Sequence, residues 1–337
     1  MPLEPNFSHI YVESEVAEYP FARQILKRFP MATSIEIRDY KEVFSRPGQD
    51  FDQQKRSLKL ILARKKDRFL YDGSRFVQDA DNPNFFYNAL SLNCIFDCAY
   101  CYLQGMYNSA NLVCFVNLED YFEATDAAIQ TRADPGRPLY LCISYDTDLL
   151  AFEHVAPYCR TWIEYCQGRT GDLTIEIRTK SANFAALADL PPQDGVTLAW
   201  SLSPAEVCQR YELGAPPLKS RLKAMALAVE AGWSVRLCVD PILPTEGWRD
   251  QYMELVEMVF QEIKPGDLLD AHIGVFRMNA DFFSNVRKRR PPVDLFYRPW
   301  KRQAGMVTHA ADEHESLTAF VKGLLTKRMP PGKIRSW

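Results

Sequence analysis

A rhythm that begins at Phe85 restricts the fold more than any other feature of this chain. Apolar, β-branched runs recur at FFYNALS (85–91), LVCFVN (112–117), LYLCIS (139–144), LTIEIRT (173–179), VTLAWSLS (196–203), SVRLCVDPIL (234–243) and LLDAHIGVF (268–276). Amphipathic segments separate most of them, at 119–131, 150–167, 218–231 and 249–263. A strand that is apolar at nearly every position is buried on both faces, and parallel strands need helical crossovers to connect them. The pattern predicts an α/β fold: a complete or partial (β/α) barrel rather than an open doubly wound sheet. In either arrangement ligands sit at the carboxyl ends of the strands, so chemistry is sought there.

The flanks read differently. Residues 1–84 mix a short helical pattern from Phe21 to Phe29, a strand-like SIEIRDY and a polar, basic stretch, KRSLKLILARKKDRF. The turn-rich DGS and DADNPN then close this region off. Three parts are expected: a small N-terminal α/β domain at 1–84, the barrel at 85–280 and a basic C-terminal extension at 281–337.

No stretch reaches the roughly 18–20 uninterrupted apolar residues of a membrane span. The first residues lack a basic head followed by an apolar run, so no secretion signal is read and a cytoplasmic location, without a membrane partner, is expected. The formal net charge is only −3, yet residues 281–337 carry twelve Lys and Arg against five Asp and Glu. The run Arg287-Lys288-Arg289-Arg290, with Arg298, Lys301 and Arg302 among Phe296, Tyr297 and Trp300, suits a phosphate backbone. It equally suits a solvated face that balances an acidic body.

Nine cysteines without a secretion signal argue against a disulfide framework. Six of them (Cys114, Cys142, Cys159, Cys166, Cys208, Cys238) are scattered through mostly apolar segments, as small core residues are. The other three are grouped as Cys94-Ile95-Phe96-Asp97-Cys98-Ala99-Tyr100-Cys101, after the first barrel strand. Thiolates at the spacing CxxxCxxC can ligate three irons of a 4Fe–4S cubane and leave the fourth iron open to an exchangeable ligand. Such an iron can chelate S-adenosylmethionine (SAM) and cleave it reductively to methionine and a 5′-deoxyadenosyl radical. The rival is structural zinc, which wants four closed ligands. No fourth Cys or His lies close in sequence, the next cysteine being Cys114 within a predicted strand.

With this motif stand YVESEVAEYP near the start, CAYCYLQG, VNLED, SYDTDLLAFEHV, the TKS segment and VDPILPTEGWRDQY. In these stretches the chain resembles the spore photoproduct lyase family of radical SAM enzymes, and the likeness covers most of its length. The resemblance implies a partial (β/α) barrel that reverses a UV-induced methylene cross-link between adjacent thymines in DNA. It implies 4Fe–4S and SAM as cofactors, UV-damaged DNA as partner, and an electron donor such as flavodoxin or ferredoxin. By the same resemblance Cys94, Cys98 and Cys101 are the cluster ligands, and Tyr100 and Tyr102 the tyrosine pair that returns a radical. Thr147, Asp148, Lys180 and Ser201, with Tyr100, line the SAM site. Each has an ordinary reading beside this one: a solvated lysine, a serine turn cap, tyrosines packed in the core.

The hydrogen donor departs from the family. The family's strand-end pattern is Cys-Thr-Ser-Asp, followed at a fixed distance by His. Anchoring on Asp148 and His154 puts Tyr145 at the position of the donor cysteine. Cys142 lies upstream, and in a regular strand residues 142 and 145 point to opposite faces. Cys142 then replaces the donor only if a bulge changes the register, and otherwise belongs to the core. Tyr145 either gives the hydrogen or serves another reaction. His154 reads as a structural histidine. Two rival functions follow: a radical SAM enzyme of this architecture with another nucleoside or small-molecule substrate, and a non-catalytic nucleic-acid-binding protein with a structural metal site.

Overall fold

The computed structural model describes residues 6–73 and 82–337. Most of the turn-rich stretch expected to end the N-terminal region, 74–81, lies outside the described residues. The chain forms two compact units: one of residues up to 95, 106–177 and 193–196, the other of 96–105, 178–192 and 197–337.

In the first unit, β1 (His9–Glu13), β2 (Thr33–Ile37), β3 (Leu60–Ala63), β6 (Ser91–Leu92) and β8 (Leu112–Phe115) make a five-stranded sheet in the order β2-β1-β3-β8-β6. β1 pairs in parallel with β2 (His9↔Thr33) and with β3 (Ile10↔Leu60), and β3 pairs in parallel with β8 (Leu60↔Leu112). β6 runs antiparallel to β8 (Ser91↔Cys114). β3 falls in the stretch read above as polar and basic, yet all four of its residues are buried. Burying each of its Leu and Ile side chains is worth about 1.5–3 kcal/mol, which holds this sheet together. Helices α1 (Pro20–Leu26), α2 (Lys41–Phe44) and α3 (Phe51–Arg56) connect its strands.

The same unit holds β4 (Tyr71–Asp72), β5 (Phe85–Tyr87), β9 (Leu139–Cys142) and the start of β10 (Leu173–Thr179). β9 pairs in parallel with β5 (Phe85↔Tyr140) and β10 (Leu173↔Leu139), while β4 is antiparallel to β5. The crossover helix α5 (Leu118–Gln130) buries Leu118, Tyr121, Thr125 and Ile129 as one stripe and opens with Glu119 and Asp120, favourable at a helix N-terminus.

Two expectations need correction here. LVCFVN does not belong with the barrel strands: β8 sits between β3 and β6. A continuous apolar run reports burial on both faces but not which sheet provides it. Segment 150–167 is two helices, α6 (Leu149–Phe152) and α7 (Tyr158–Cys166). Pro157 disfavours helix at Ala156 and stands immediately before α7, so the two pieces do not join into one helix. The buried Glu153 carboxylate then starts the second, accepting the N–H groups of Cys159 and Arg160, each at 2.8 Å.

In the second unit, β11 (Val196–Ser201), β13 (Ser234–Ile242), β14 (Asp270–Val275) and β18 (Ile334–Ser336) are parallel, paired at Thr197↔Ser234, Arg236↔Asp270 and Ala271↔Ile334. The expected helices appear as α9 (Leu218–Glu230) and α10 (Trp248–Glu262). α8 (Ala205–Tyr211) leads into β12 (Glu212–Leu213), which is antiparallel to β7 (Asp97–Cys98). Beyond the barrel strands, β15 (Arg277–Asn279), β16 (Lys301–Gln303) and β17 (Met306–Thr308) form a small antiparallel sheet ordered β15-β17-β16. α11 (Ala280–Arg289) and α12 (Ala311–Thr326) complete the unit, and α4 (Leu103–Met106) follows the cysteine loop. Among the described residues no helix is long and apolar enough to cross a membrane.

Candidate active site

The cysteine loop is fastened at both ends. Asn93 enters it at φ 67°, the left-handed region that Asn tolerates better than most residues. Its side-chain amide donates to the carbonyls of Ser109 (2.7 Å) and Asn111 (2.9 Å), fixing the turn before Cys94. The Cys94 carbonyl accepts from Lys55 Nζ at 2.7 Å.

In the second unit, Cys98 lies opposite Glu212 in the β7–β12 pair, and the Ala99 N–H donates to the Tyr211 carbonyl at 2.7 Å. Gln104 Nε2 donates to the Cys98 carbonyl at 2.7 Å. α11 grips the other side of the loop. Asn285 Nδ2 donates to the Gly105 carbonyl at 3.0 Å, Arg290 Nε donates to Gln104 Oε1 at 3.0 Å, and the Arg290 guanidinium pairs with Asp97. Arg289 donates to the Gln104 carbonyl. Gly105 is required by this approach, since a Cβ there would lie 2.6 Å from the Phe282 Cα.

The basic run is therefore divided. Arg289 and Arg290 serve the loop, while Arg287, Lys288, Lys301 and Arg302 are exposed. None of the three cysteines is in a disulfide; Cys98 is buried and Cys94 and Cys101 are half-buried. Among the described residues, no three His, Cys, Asp or Glu side chains converge as ligands of one ion would. A cubane instead takes each thiolate at a separate iron, and three cysteines outside any disulfide on one anchored loop fit that donor set.

Tyr100, between the second and third cysteines, is 8% exposed, and its hydroxyl donates to Glu212 Oε1. Ser203 donates to the same oxygen at 3.0 Å, and Glu212 Oε2 faces Arg221 Nη1 at 2.5 Å in a pair wholly out of solvent. Burial would raise the Glu212 pKa, but Arg221 and Lys180 outweigh it and hold the carboxyl below its ordinary range. Burial, and then Glu212, push the Tyr100 hydroxyl well above its ordinary value. Lys180, at the end of β10, has its ammonium 5.6 Å from the Tyr100 ring centre. Burial opposes its charge, but Glu212 and Cys98 prevail and keep its pKa above that of an ordinary lysine. Ser201 ends β11, and its carbonyl accepts from Arg221 at 3.5 Å. Thus Tyr100, Lys180, Ser201 and Cys98 meet through Glu212 and Arg221.

The first unit carries the rest, except Tyr102, which belongs to the second. β9 stops at Cys142, and Tyr145 lies in the turn beyond it, so strand alternation does not reach residue 145. The regular-strand condition therefore does not hold between the two residues: Cys142, read as a core residue, forms a buried cluster with Phe85 and Tyr140 against which Tyr145 and Tyr87 pack. The Tyr145 and Tyr87 rings are 4.3 Å apart between centres, and Tyr87 stacks on Tyr71 at 5.1 Å. Tyr107 donates to Asp146 at 3.5 Å, one residue from Tyr145. Asp148 caps α6, its Oδ1 accepting the Ala151 N–H at 3.0 Å, and Thr147 is half-buried beside it. Tyr102 is half-buried, its carbonyl accepting the Gly105 N–H at 2.9 Å. The His154 carbonyl accepts from Arg28, a structural contact.

Sequence reading missed Glu212, Arg221, Ser203 and the α11 contacts. Glu212 and Arg221 look like ordinary surface charges in RYELGAPPLKSR, and only their complete burial reveals a role.

The loop and strand ends define a class, an α/β enzyme built around a three-thiolate cluster loop. The spore photoproduct lyase family model matches residues 4–289. This chain belongs to the spore photoproduct lyase family, whose members are radical SAM lyases that use SAM and a 4Fe–4S cluster. It is 27% identical over 286 residues to the spore photoproduct lyase of Geobacillus sp. (strain Y412MC61), covering 83% of this chain and 80% of that protein. To the Clostridium acetobutylicum spore photoproduct lyase it is 24% identical over 274 residues, covering 79% and 77%. A solved spore photoproduct lyase with a cysteine-to-alanine substitution superposes with a TM-score of 0.85 at 20% identity, covering 100% of this chain and 99% of that one. A solved mutant with bound AdoMet and dinucleoside spore photoproduct gives 0.83 at 20% identity, covering 100% and 99%. These superpositions establish the expected partial-barrel α/β fold of the radical SAM type.

Proposed function

We propose that this chain opens the methylene cross-link of the spore photoproduct in UV-damaged DNA. The observation that carries this reading is a cysteine loop anchored on both flanks, in a chain that matches the family model over residues 4–289. Cys94, Cys98 and Cys101 hold the cluster, Asp148 and Lys180 take the ammonium and carboxylate of SAM, and Thr147, Ser201 and Tyr100 line its site. When bound, cluster and SAM supply a one-electron cleavage that yields a 5′-deoxyadenosyl radical.

Tyr145 returns hydrogen to the opened thymine: its phenolic O–H breaks homolytically, leaving the oxygen as a radical and the thymine with a new C–H bond. Its packing beside Cys142 supports the assignment, because the two candidate donors share one aromatic cluster and Tyr145 is the less buried. Tyr100 and Tyr102 are the pair for radical return. The exposed Arg287, Lys288, Lys301 and Arg302, in the extension 281–337, meet the DNA phosphates. A flavodoxin- or ferredoxin-like protein delivers the electron, in the cytoplasm.

The test is an anaerobic assay of reconstituted, reduced protein with SAM and a dinucleotide carrying the photoproduct. Recovery of intact thymines with 5′-deoxyadenosine is the expected result. 5′-Deoxyadenosine without thymine recovery would transfer the chemistry to another substrate, a reading that the replacement of the donor cysteine by Tyr145 favours.

A further inference from the structure

Buried ion pairs are expensive. Apolar residues of the same volume often stabilise a fold as well or better, so a pair kept wholly out of solvent invites the question of what it holds in place. Glu212 and Arg221 form such a pair. Glu212 also grips the cluster loop twice, opposite Cys98 in the β7–β12 pair and at the Tyr100 hydroxyl. Its remaining contacts lead to the ends of elements that face the same site: Ser203 just past β11 and, through Arg221, the Ser201 carbonyl. Arg221 is itself held by the Pro216 carbonyl at 2.6 Å.

We propose that Glu212 is a positioning residue for the iron–sulfur cluster, setting the orientation of the Cys98–Cys101 segment through Tyr100 while Arg221 holds its carboxylate in place. The proposal rests on the reading of Cys94, Cys98 and Cys101 as the cluster ligands. Tyr100 is the lever of the device. Its backbone lies between two ligands, its phenol is pinned to Glu212, and its ring has the Lys180 ammonium nearby. Without the pin the thiolates remain, but the loop that carries them loses its fixed register against the strand ends at Lys180 and Ser201.

The test compares the wild-type holoprotein with Tyr100→Phe, which removes only the hydroxyl, and with the paired replacement Glu212→Leu/Arg221→Met, which leaves no buried charge unpartnered. Arg221→Lys is the conservative rescue. Three quantities are read after anaerobic reconstitution: iron per chain, the rate of iron loss to a chelator, and the change in the reduced cluster's electron paramagnetic resonance on adding SAM. The thermal midpoint controls for folding.

Tyr100→Phe should keep the wild-type midpoint, lose iron about tenfold faster, the factor that about 1.4 kcal/mol makes, and show a weakened response to SAM. The paired replacement should behave alike or worse, and Arg221→Lys should lie close to wild type. Wild-type iron release and an unchanged SAM response in Tyr100→Phe would overturn the proposal even if the paired variant failed to fold. A wild-type protein that takes up no iron would overturn the ligand reading and this proposal with it. Normal iron in the wild type with unchanged variants would overturn this proposal alone.

Discussion

Glu153 gives a pH signature that can be worked out in full. It follows α6, its side chain is buried, and its two oxygens accept the N–H groups that begin α7. Burial pushes its pKa from an ordinary 4.5 up to about 7, with the backbone donors at Arg160 and Cys159 offsetting only part of the rise. The folded chain thus keeps this proton over a range in which the unfolded chain has lost it. The resulting stability is fully present below pH 4.5 and is lost as pH rises to about 7. At about 1.4 kcal/mol per pH unit, the interval amounts to on the order of 3 kcal/mol. Glu153→Gln keeps an acceptor for the helix and removes the titration, at the cost of about 1 kcal/mol for a weaker cap. Urea unfolding of both proteins from about pH 5 to about pH 8 should show the wild type losing more stability than the variant, so that the curves converge or cross near neutrality. Parallel curves over that window would refute the argument.

Other outcomes are equally definite. Cys98→Ala should abolish iron retention and the brown absorption of the reconstituted protein, read by iron and sulfide analysis. Gly105→Ala should lower stability by about 1–3 kcal/mol, because the added methyl meets the Phe282 backbone and α11 must shift; chemical denaturation checks it. Tyr145→Phe should form 5′-deoxyadenosine but recover at least about tenfold less thymine, a barrier rise of about 1.4 kcal/mol or more, whereas Cys142→Ala should stay close to wild type. The reverse ranking would make Cys142 the donor.

The strands from Phe85 onward were legible because burial on both faces leaves a mark in every residue of a short run. Helices α5, α9 and α10 were legible because an apolar stripe repeats locally. The assignment of β8 to its sheet was not, since Leu112 pairs with Leu60 and no local signal connects them. The cysteine spacing announced the cluster loop, but not what holds it. Gln104, Asp97 and Arg290 are polar residues of common types, and their meeting depends on where α11 comes to rest. The relation of Cys142 to Tyr145 was not legible for a related reason: strand alternation applies only as far as the strand runs, and β9 ends at Cys142.

The grip of α11 on the cysteine loop also sets a schedule for assembly. Asn285 and Gly105 stand 180 residues apart in the chain. At a synthesis rate of about 5–20 residues per second, the loop leaves the ribosome roughly ten to forty seconds before its fastener exists. During that interval the loop has its contacts to Lys55, Ser109 and Asn111, and later to Tyr211 and Glu212, but not yet those of α11. Metal loading before α11 docks would meet a loop still free to misplace its ligands. Loading afterwards meets one already shaped, so the order in which the chain is made bears on when the loop is ready for its metal.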